Sequence, residues 1–525
     1  MASLSFEPLA YDDIPEDERP SLGQALVPVV GMLLFLSVGA IWLELDAHMP
    51  LLWGIVLTGL VGRFWYGISW QRMYEGVVDG LRMGMQAILI LFVIYMLIAT
   101  WTDAGTIPGL IYYGLELLSP DIFLPVTALL ATGVAFAVGS SWTTAGTLGV
   151  AFIGIGSGLG VPAPMTAGAV LTGAYTGDKI SPLSDTTNLA SAVTNTDLYT
   201  HIRTMRVGTG IALLISLVLY SYLGLSATGS IPAGRVGEIQ SAIVGAYSVN
   251  PVVFLPLVVT FGLALYGLPA LPSLTAGVFA GALTSMVAQG RLSVEGFIHV
   301  WDVAQNGTAP ETNVDLVNSL LDTGGLIGSS WTITIVVAAL ALGGLLERTG
   351  VLAVLAHHIG LLIVRVGTFS FSTVDRGPSV VRRPVNAVVE GVNTIISRVS
   401  ALILGTAVSA FGMNVLAAEQ YMSIVVPGMS LRGLYDEEGL DSRNLSRAVE
   451  AAGTTTSALI PWNAGGVYMA GVLGVPTLAY APYYFLGFLS PLILVFMGVT
   501  GWRITYRDEE TTAGIRGAVE SIGDD

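Results

Sequence analysis

Apolar residues along this chain fall into blocks. Stretches 25–45, 88–101, 207–225 and 485–499 carry almost no charge, and they meet or approach the ~20 residues a helix needs to cross a bilayer. Spans are expected near 25–45, 48–66, 84–102, 121–139, 205–225, 251–268, 270–288, 330–346, 350–366, 396–412 and 478–500. Two more stretches, 141–197 and 413–475, are apolar but repeatedly interrupted by Gly, Pro, Ser, Thr and Asn. Irregular backbone at membrane depth is tolerated only where protein buries it or a wet cavity adjoins it. These stretches therefore predict broken helices or re-entrant hairpins. The expected fold class is an all-α polytopic membrane protein of about 11–13 spans.

A weak internal repeat refines the picture. Ala104-Gly-Thr-Ile107 is echoed by Thr349-Gly-Val-Leu352, and Gly177, Ser181 and Leu183 are matched in spacing by Gly453, Ser457 and Leu459. Broken segments thus align with broken segments, the pattern that points to the binding site of a duplicated transporter. The divisions expected are an acidic tail (1–24), leading spans (25–84), a first repeat (85–225), connecting spans and loops (226–329), a second repeat (330–500) containing a cytoplasmic loop at 367–395, and a second acidic tail (501–525).

Composition agrees. Hydrophobic residues make up 53% of the 525 and charged residues 11%, against roughly 25% charged in a soluble domain. Mean hydropathy is +0.73, and 64 glycines suit close packing or breaking of membrane helices. There is no cysteine, which excludes disulfides and thiolate chemistry. Net charge is −16. Acids crowd both ends (Glu7, Asp12, Asp13, Glu16, Asp17 and Glu18; Asp508, Glu509, Glu510, Glu520, Asp524 and Asp525), unlike a basic signal peptide and like a solvated tail. Arg63, Arg72 and Arg82 follow the second span; Arg365, Arg376, Arg382, Arg383 and Arg398 flank or occupy the later loop. The positive-inside rule makes both regions cytoplasmic and, two spans back, the N-terminus as well.

The chemistry concentrates in Gly177-Asp178-Lys179-Ile180-Ser181-Pro182-Leu183-Ser184-Asp185-Thr186-Thr187-Asn188, which holds the sole lysine of the chain. Intramembrane charge is costly and marks ion or substrate paths. Pro182 discourages continuous helix, freeing carbonyl oxygens near Asp178, Ser181, Asp185 and Asn188. A proton and a cation compete for one carboxylate, so Asp178 or Asp185 can exchange them. Lys179 either partners Asp178, replaces the cation in an empty site, or snorkels to the interface. Ser140, Ser141, Thr143 and Thr144, around Trp142, offer hydroxyl oxygens of the kind a hard cation prefers, or pack helices as small residues do. The second Gly-Ser-Ser-Trp-Thr string, 328–332, is read as packing. In the matching C-terminal segment stand Arg447, Glu450, Ser457, Pro461 and Asn463, with Asn414 and Gln420 upstream. Arg447 and Glu450, at i, i+3, can pair on one helix face; unpaired, Glu450 is a second carrier. Asp103 is a helix cap or a relay acid. The five histidines form no metal motif, and no Walker loop, nucleophile elbow or dinucleotide fingerprint is present.

The 177–188 run resembles the signature of the NhaC-type Na+/H+ antiporters, within the wider ion-transporter superfamily. Ala104-Gly-Thr-Ile-Pro108 with Ile111-Tyr-Tyr-Gly114, Gly139-Ser-Ser-Trp142-Thr, and Ser457-Ala-Leu-Ile-Pro461-Trp-Asn463 support it. The resemblance, across about residues 85–500, implies two inverted repeats with hairpins, sodium efflux coupled to proton entry at the cytoplasmic membrane, no cofactor and no enzymatic activity. It places cation and proton binding, sodium included, at Asp178, Ser181, Asp185, Thr187, Asn188, Glu450, Ser457 and Asn463. Supporting positions are Ser141, Trp142, Thr143, Lys179, Pro182, Asn414 and Pro461. Expected partners are Na+, H+ and the lipid bilayer, with no nucleic acid; a homodimer is compatible with these. The alternative on the same scaffold is an organic-acid antiporter of the malate/lactate kind, for which Arg447 is the best anion ligand.

Overall fold

The computed structural model describes residues 9, 11–16, 18–43, 45–227, 234–367 and 398–507. The expected loop after residue 367, the tail beyond 507 and most of the first ten residues lie outside them. Among the described residues the chain is helical throughout, apart from turns and one antiparallel bridge between Leu440 and Tyr506.

Among the described residues six helices are long and apolar enough to cross a membrane: Trp70–Asp103, Pro120–Val138, Leu198–Leu225, Ala270–Ala288, Ser330–Arg348 and Arg398–Leu416. Four shorter apolar helices (Leu22–Ser37, His48–Phe64, Val351–Arg365 and Phe485–Thr500) accompany them, as do two helix pairs bent by 90° and 87° at a short break. The polytopic, all-helical class with broken segments is the one the apolar blocks predict.

Boundaries differ where polar residues continue a helix. The expected span 84–102 is the apolar end of a 34-residue helix, Trp70–Asp103. At 1.5 Å per residue it is about 50 Å long, well over the ~30 Å hydrocarbon thickness, so Arg72 and Arg82 belong to its overhanging end rather than to a loop. The expected span 478–500 divides in two. Thr477–Tyr483 is the short arm of the 87° pair begun by Ala464–Leu473, and Phe485–Thr500 forms a separate helix. Pro476 and Pro482 at the helix starts favour that division.

Two close helix approaches position the site. A Cβ on Gly173 would lie 2.2 Å from the Ala128 carbonyl oxygen, and one on Gly177 2.3 Å from that of Thr132. Glycine at both places lets Ala163–Asp178 lie directly against Pro120–Val138, which fixes where Asp178 ends up. Similarly, Gly80 and Gly344 allow Trp70–Asp103 to touch Ser330–Arg348 backbone to backbone.

Both broken segments have the same local plan. Ala163–Asp178 stops, residues 179–184 turn, and Asp185–Val193 resumes; Ser442–Thr456 stops, residues 457–463 turn, and Ala464–Leu473 resumes. Ahead of each stands a residue of positive φ (Gly139 at 72°, Ala418 at 55°), then a capping residue (Ser140, Glu419), then a new helix from Ser141 or Gln420.

Candidate functional site: a carboxylate-lined cavity

The two capped helix starts face one another across a cavity of about 40 Å³. That is room for a few water-sized occupants. Ser140, Ser141 and Trp142 form one side, Glu419, Gln420 and Tyr421 another, and Asp178 and Asp185 the broken-helix side; Gln86, Ala87 and Ile90 close it from Trp70–Asp103. Three carboxylates reach this space, and neither arginine nor lysine does.

Asp178 is buried at the last position of its helix. Its Oδ2 accepts hydrogen bonds from the Ser141 hydroxyl (2.7 Å) and the Ser141 amide (3.1 Å). Its Oδ1 is buried and makes no hydrogen bond of normal geometry among the described residues, although the Ser184 hydroxyl lies near the carboxyl group. Such an atom carries a desolvation cost of about 1–3 kcal/mol, more when charged, unless a proton or cation satisfies it.

Asp185 begins the resumed helix and opens toward the cavity. Its Oδ1 accepts from the Thr186 amide at 2.9 Å and its Oδ2 from the Tyr421 hydroxyl. Glu419 accepts from the Tyr421 amide. Asp185 and Glu419 thus sit at the N-termini of their own helices, and the Asp178 carboxylate, at the C-terminal end of its helix, meets the one that starts at Ser141; unsatisfied N–H groups there favour negative charge.

The other expected residues are placed as follows. Thr187 bridges the segments, its hydroxyl lying 3.1 Å from Glu450 Oε1 and 3.3 Å from the Asp178 carbonyl. Ser181 donates to the Phe136 carbonyl (2.7 Å) and caps Leu183. Asn188 ties back to the carbonyls of Pro182 and Ser184. These two hold the break in shape and do not line the cavity. Pro182 lies within the break, as expected. Trp142 stacks on Tyr468 with ring centroids 4.2 Å apart, and Thr143 is held by Ser140.

Asn463 and Asn414 form a buried network of their own. Asn414 donates to the Gly453 carbonyl and to Thr456; Asn463 donates to Asn414 and caps the helix after Pro461. Ser457, buried beside it, reaches the cavity lining by donating to Gln420 Oε1 at 2.7 Å.

Three residues whose partners the sequence left open are placed as follows. Glu450 does not pair with Arg447. It meets His201, with both side chains fully buried, and also accepts from Thr187. Arg447 instead donates to the Arg503 carbonyl and Asn444. It faces a different cavity, so it is not an anion ligand for the carboxylate site. Lys179 does not pair with Asp178: its Nζ donates to Ser490 at 2.6 Å, because residue 179 follows the helix end and points to the Phe485–Thr500 side. Asp103 is neither free nor only a cap, being held by Arg291, His299 and Ser285.

Glu419, Tyr421, Gln86 and His201 escaped the sequence reading. Glu419 could have been found, as an acid inside an otherwise apolar stretch. His201 was weighed only as a metal ligand. Among the described residues no three His, Asp or Glu side chains are gathered to hold a metal ion.

Broken helices meeting at a carboxylate-lined cavity in an apolar bundle define a multi-pass membrane transporter. The chain belongs to the Na+/H+ antiporter family, whose model matches residues 23–187, 173–374 and 379–502. It is 51% identical over 510 residues to the arginine/ornithine antiporter ArcD of Halobacterium salinarum, covering 97% of this chain and 98% of that one. It is 31% identical to the Na+/H+ antiporter NhaC of Alkalihalophilus pseudofirmus (95% and 100% covered). To the malate-2H+/Na+-lactate antiporter of Bacillus subtilis it is 33% identical (94% and 97% covered).

Proposed function

We propose that this protein is a secondary antiporter of cations in the cytoplasmic membrane, exchanging Na+ for H+ at the Asp178–Asp185–Glu419 cavity. The N-terminus faces the cytoplasm, on the side of Arg63, Arg72 and Arg82. The observation that carries the reading is the unpartnered Oδ1 of Asp178 in a cavity lined by carboxylates and hydroxyls without a basic side chain. A proton or a small hard cation satisfies that oxygen equally well, and each excludes the other. Ser141 holds the opposite oxygen, so the free one stays aimed at the cargo. Alternation then needs only that one bundle move against the other around the site.

A second cargo has its own support. The 51% identity to an arginine/ornithine antiporter spans nearly the whole of both chains, and a guanidinium or ammonium group suits three carboxylates. The cavity is too small for an arginine side chain in this conformation, so that reading requires it to widen. Organic-acid exchange is the least supported, because a substrate carboxylate would find Asp178, Asp185 and Glu419 and no arginine.

Proteoliposomes decide among these. A sodium pulse that moves protons, read by a pH dye, supports Na+/H+ exchange. Uptake of labelled arginine driven by internal ornithine, unaffected by sodium, supports the second reading. Silence in both assays refutes the cation proposal.

A further inference from the structure

A second polar cavity, of about 240 Å³, opens where the first turns of Leu198–Ala227 and Ser442–Thr456 meet the chain leaving Phe485–Thr500. Arg203, Arg443, Arg447 and Arg503 line it with Thr200 and Thr204, and no carboxylate does. In a chain of net charge −16, four guanidinium groups converge where they repel one another.

Among the described residues only part of that charge is answered, Asp197 lying near Arg203. Arg443 is paired with Asp441 through two hydrogen bonds, 2.9 and 3.0 Å. Arg447 is 3% exposed, yet its bonds among the described residues go to neutral oxygens, the Arg503 carbonyl at 3.1 Å and Asn444 Oδ1 at 3.4 Å. Its Nε is buried with no partner. A buried guanidinium bonded only to neutral oxygens is costly, so Arg447 and its neighbours would favour an anion here.

Guanidinium forks match phosphate oxygens in geometry as well as charge. Position narrows the source. The cavity lies just past Thr500, the end of the last apolar helix, beside Trp502, which is 41% exposed; Trp so placed marks a membrane–water border. Arg447 also borders a small pocket of about 10 Å³, which Lys179 and Ser490 line together with Met205, Leu494 and Met497.

We propose that the Arg203–Arg443–Arg447–Arg503 cavity binds a phosphate group at the membrane surface. The headgroup of an anionic phospholipid is the form that the position beside Trp502, at the end of the last apolar helix, would present. The site is separate from the carboxylate cavity and stands whichever cation is carried.

The test uses the full-length protein in detergent at fixed ionic strength, titrated with phosphatidylglycerol, phosphatidylcholine or inorganic phosphate while thermal unfolding is followed. Phosphatidylglycerol is expected to raise the midpoint saturably by more than about 2 °C, with no effect of phosphatidylcholine. Arg447→Gln and Arg203→Gln should each remove the shift. Should Arg447→Gln fail to fold, Arg203→Gln decides, because Arg203 is exposed. A shift with inorganic phosphate equal to that with the lipid assigns the site to free phosphate. Equal shifts with both lipids, no shift with any ligand, or full shifts in Arg203→Gln would overturn the proposal.

Discussion

Asp178→Asn isolates charge from shape at the carboxylate cavity. The amide carbonyl can take over the place of Oδ2, still accepting from the Ser141 hydroxyl and amide, while the NH2 group occupies the place of the unpartnered Oδ1. Hydrogen bonds to a charged acceptor are worth about 1.5–3 kcal/mol and neutral ones about 0.5–1.5. The two bonds to Ser141 therefore lose about 2 kcal/mol together. Removing an uncompensated buried charge offsets that loss, so the folded state should be nearly as stable as before. Cargo binding suffers far more. A unit-charge pair about 4 Å apart is worth about 4 kcal/mol at an effective dielectric of about 20, roughly a thousandfold in affinity at 1.4 kcal/mol per decade. Sodium-driven proton movement in proteoliposomes should fall below detection while the variant purifies as a folded protein. If Asp178→Asn kept more than about a tenth of wild-type exchange at saturating sodium, a charge at this position would not be what holds the cargo.

Other substitutions probe the supporting structure. Replacing His201 with Ala leaves Glu450 buried without its partner and should cost about 3–5 kcal/mol; an unchanged unfolding midpoint would show that the pair is not structural. Tyr421→Phe removes the hydroxyl that donates to Asp185 and should cost about 1–2 kcal/mol of cation binding, seen as a raised half-saturation for sodium with a near-normal maximal rate. Gly177→Ala sets a methyl group against the Thr132 carbonyl and should destabilise by about 1–3 kcal/mol, with transport falling because Asp178 shifts; wild-type activity and midpoint together would refute the close-approach account. Glu419→Gln should weaken sodium or arginine transport without loss of the fold, and flux equal to wild type would exclude Glu419 from the site.

Much of the architecture was legible in the chain itself. Membrane crossing depends on local composition, because hydrocarbon rejects charge and unpaired backbone residue by residue, so apolar blocks, breaks at Pro182 and Pro461, and the charged 177–188 run could all be read in order. Side-chain partnership is not local in that sense. Asp178 finds Ser141, Asp185 finds Tyr421, and Glu450 finds His201 rather than Arg447 three residues away, since each partner lies on another helix brought in by packing. Glu419 and Gln420 reach the cavity only because Ala418 turns the chain just as Gly139 does on the opposite side. The 177–188 segment announced by itself that it would carry charge into the bilayer. Which oxygen is left open for a cargo, and which hydroxyls hold its neighbours, was decided by how the helices close together.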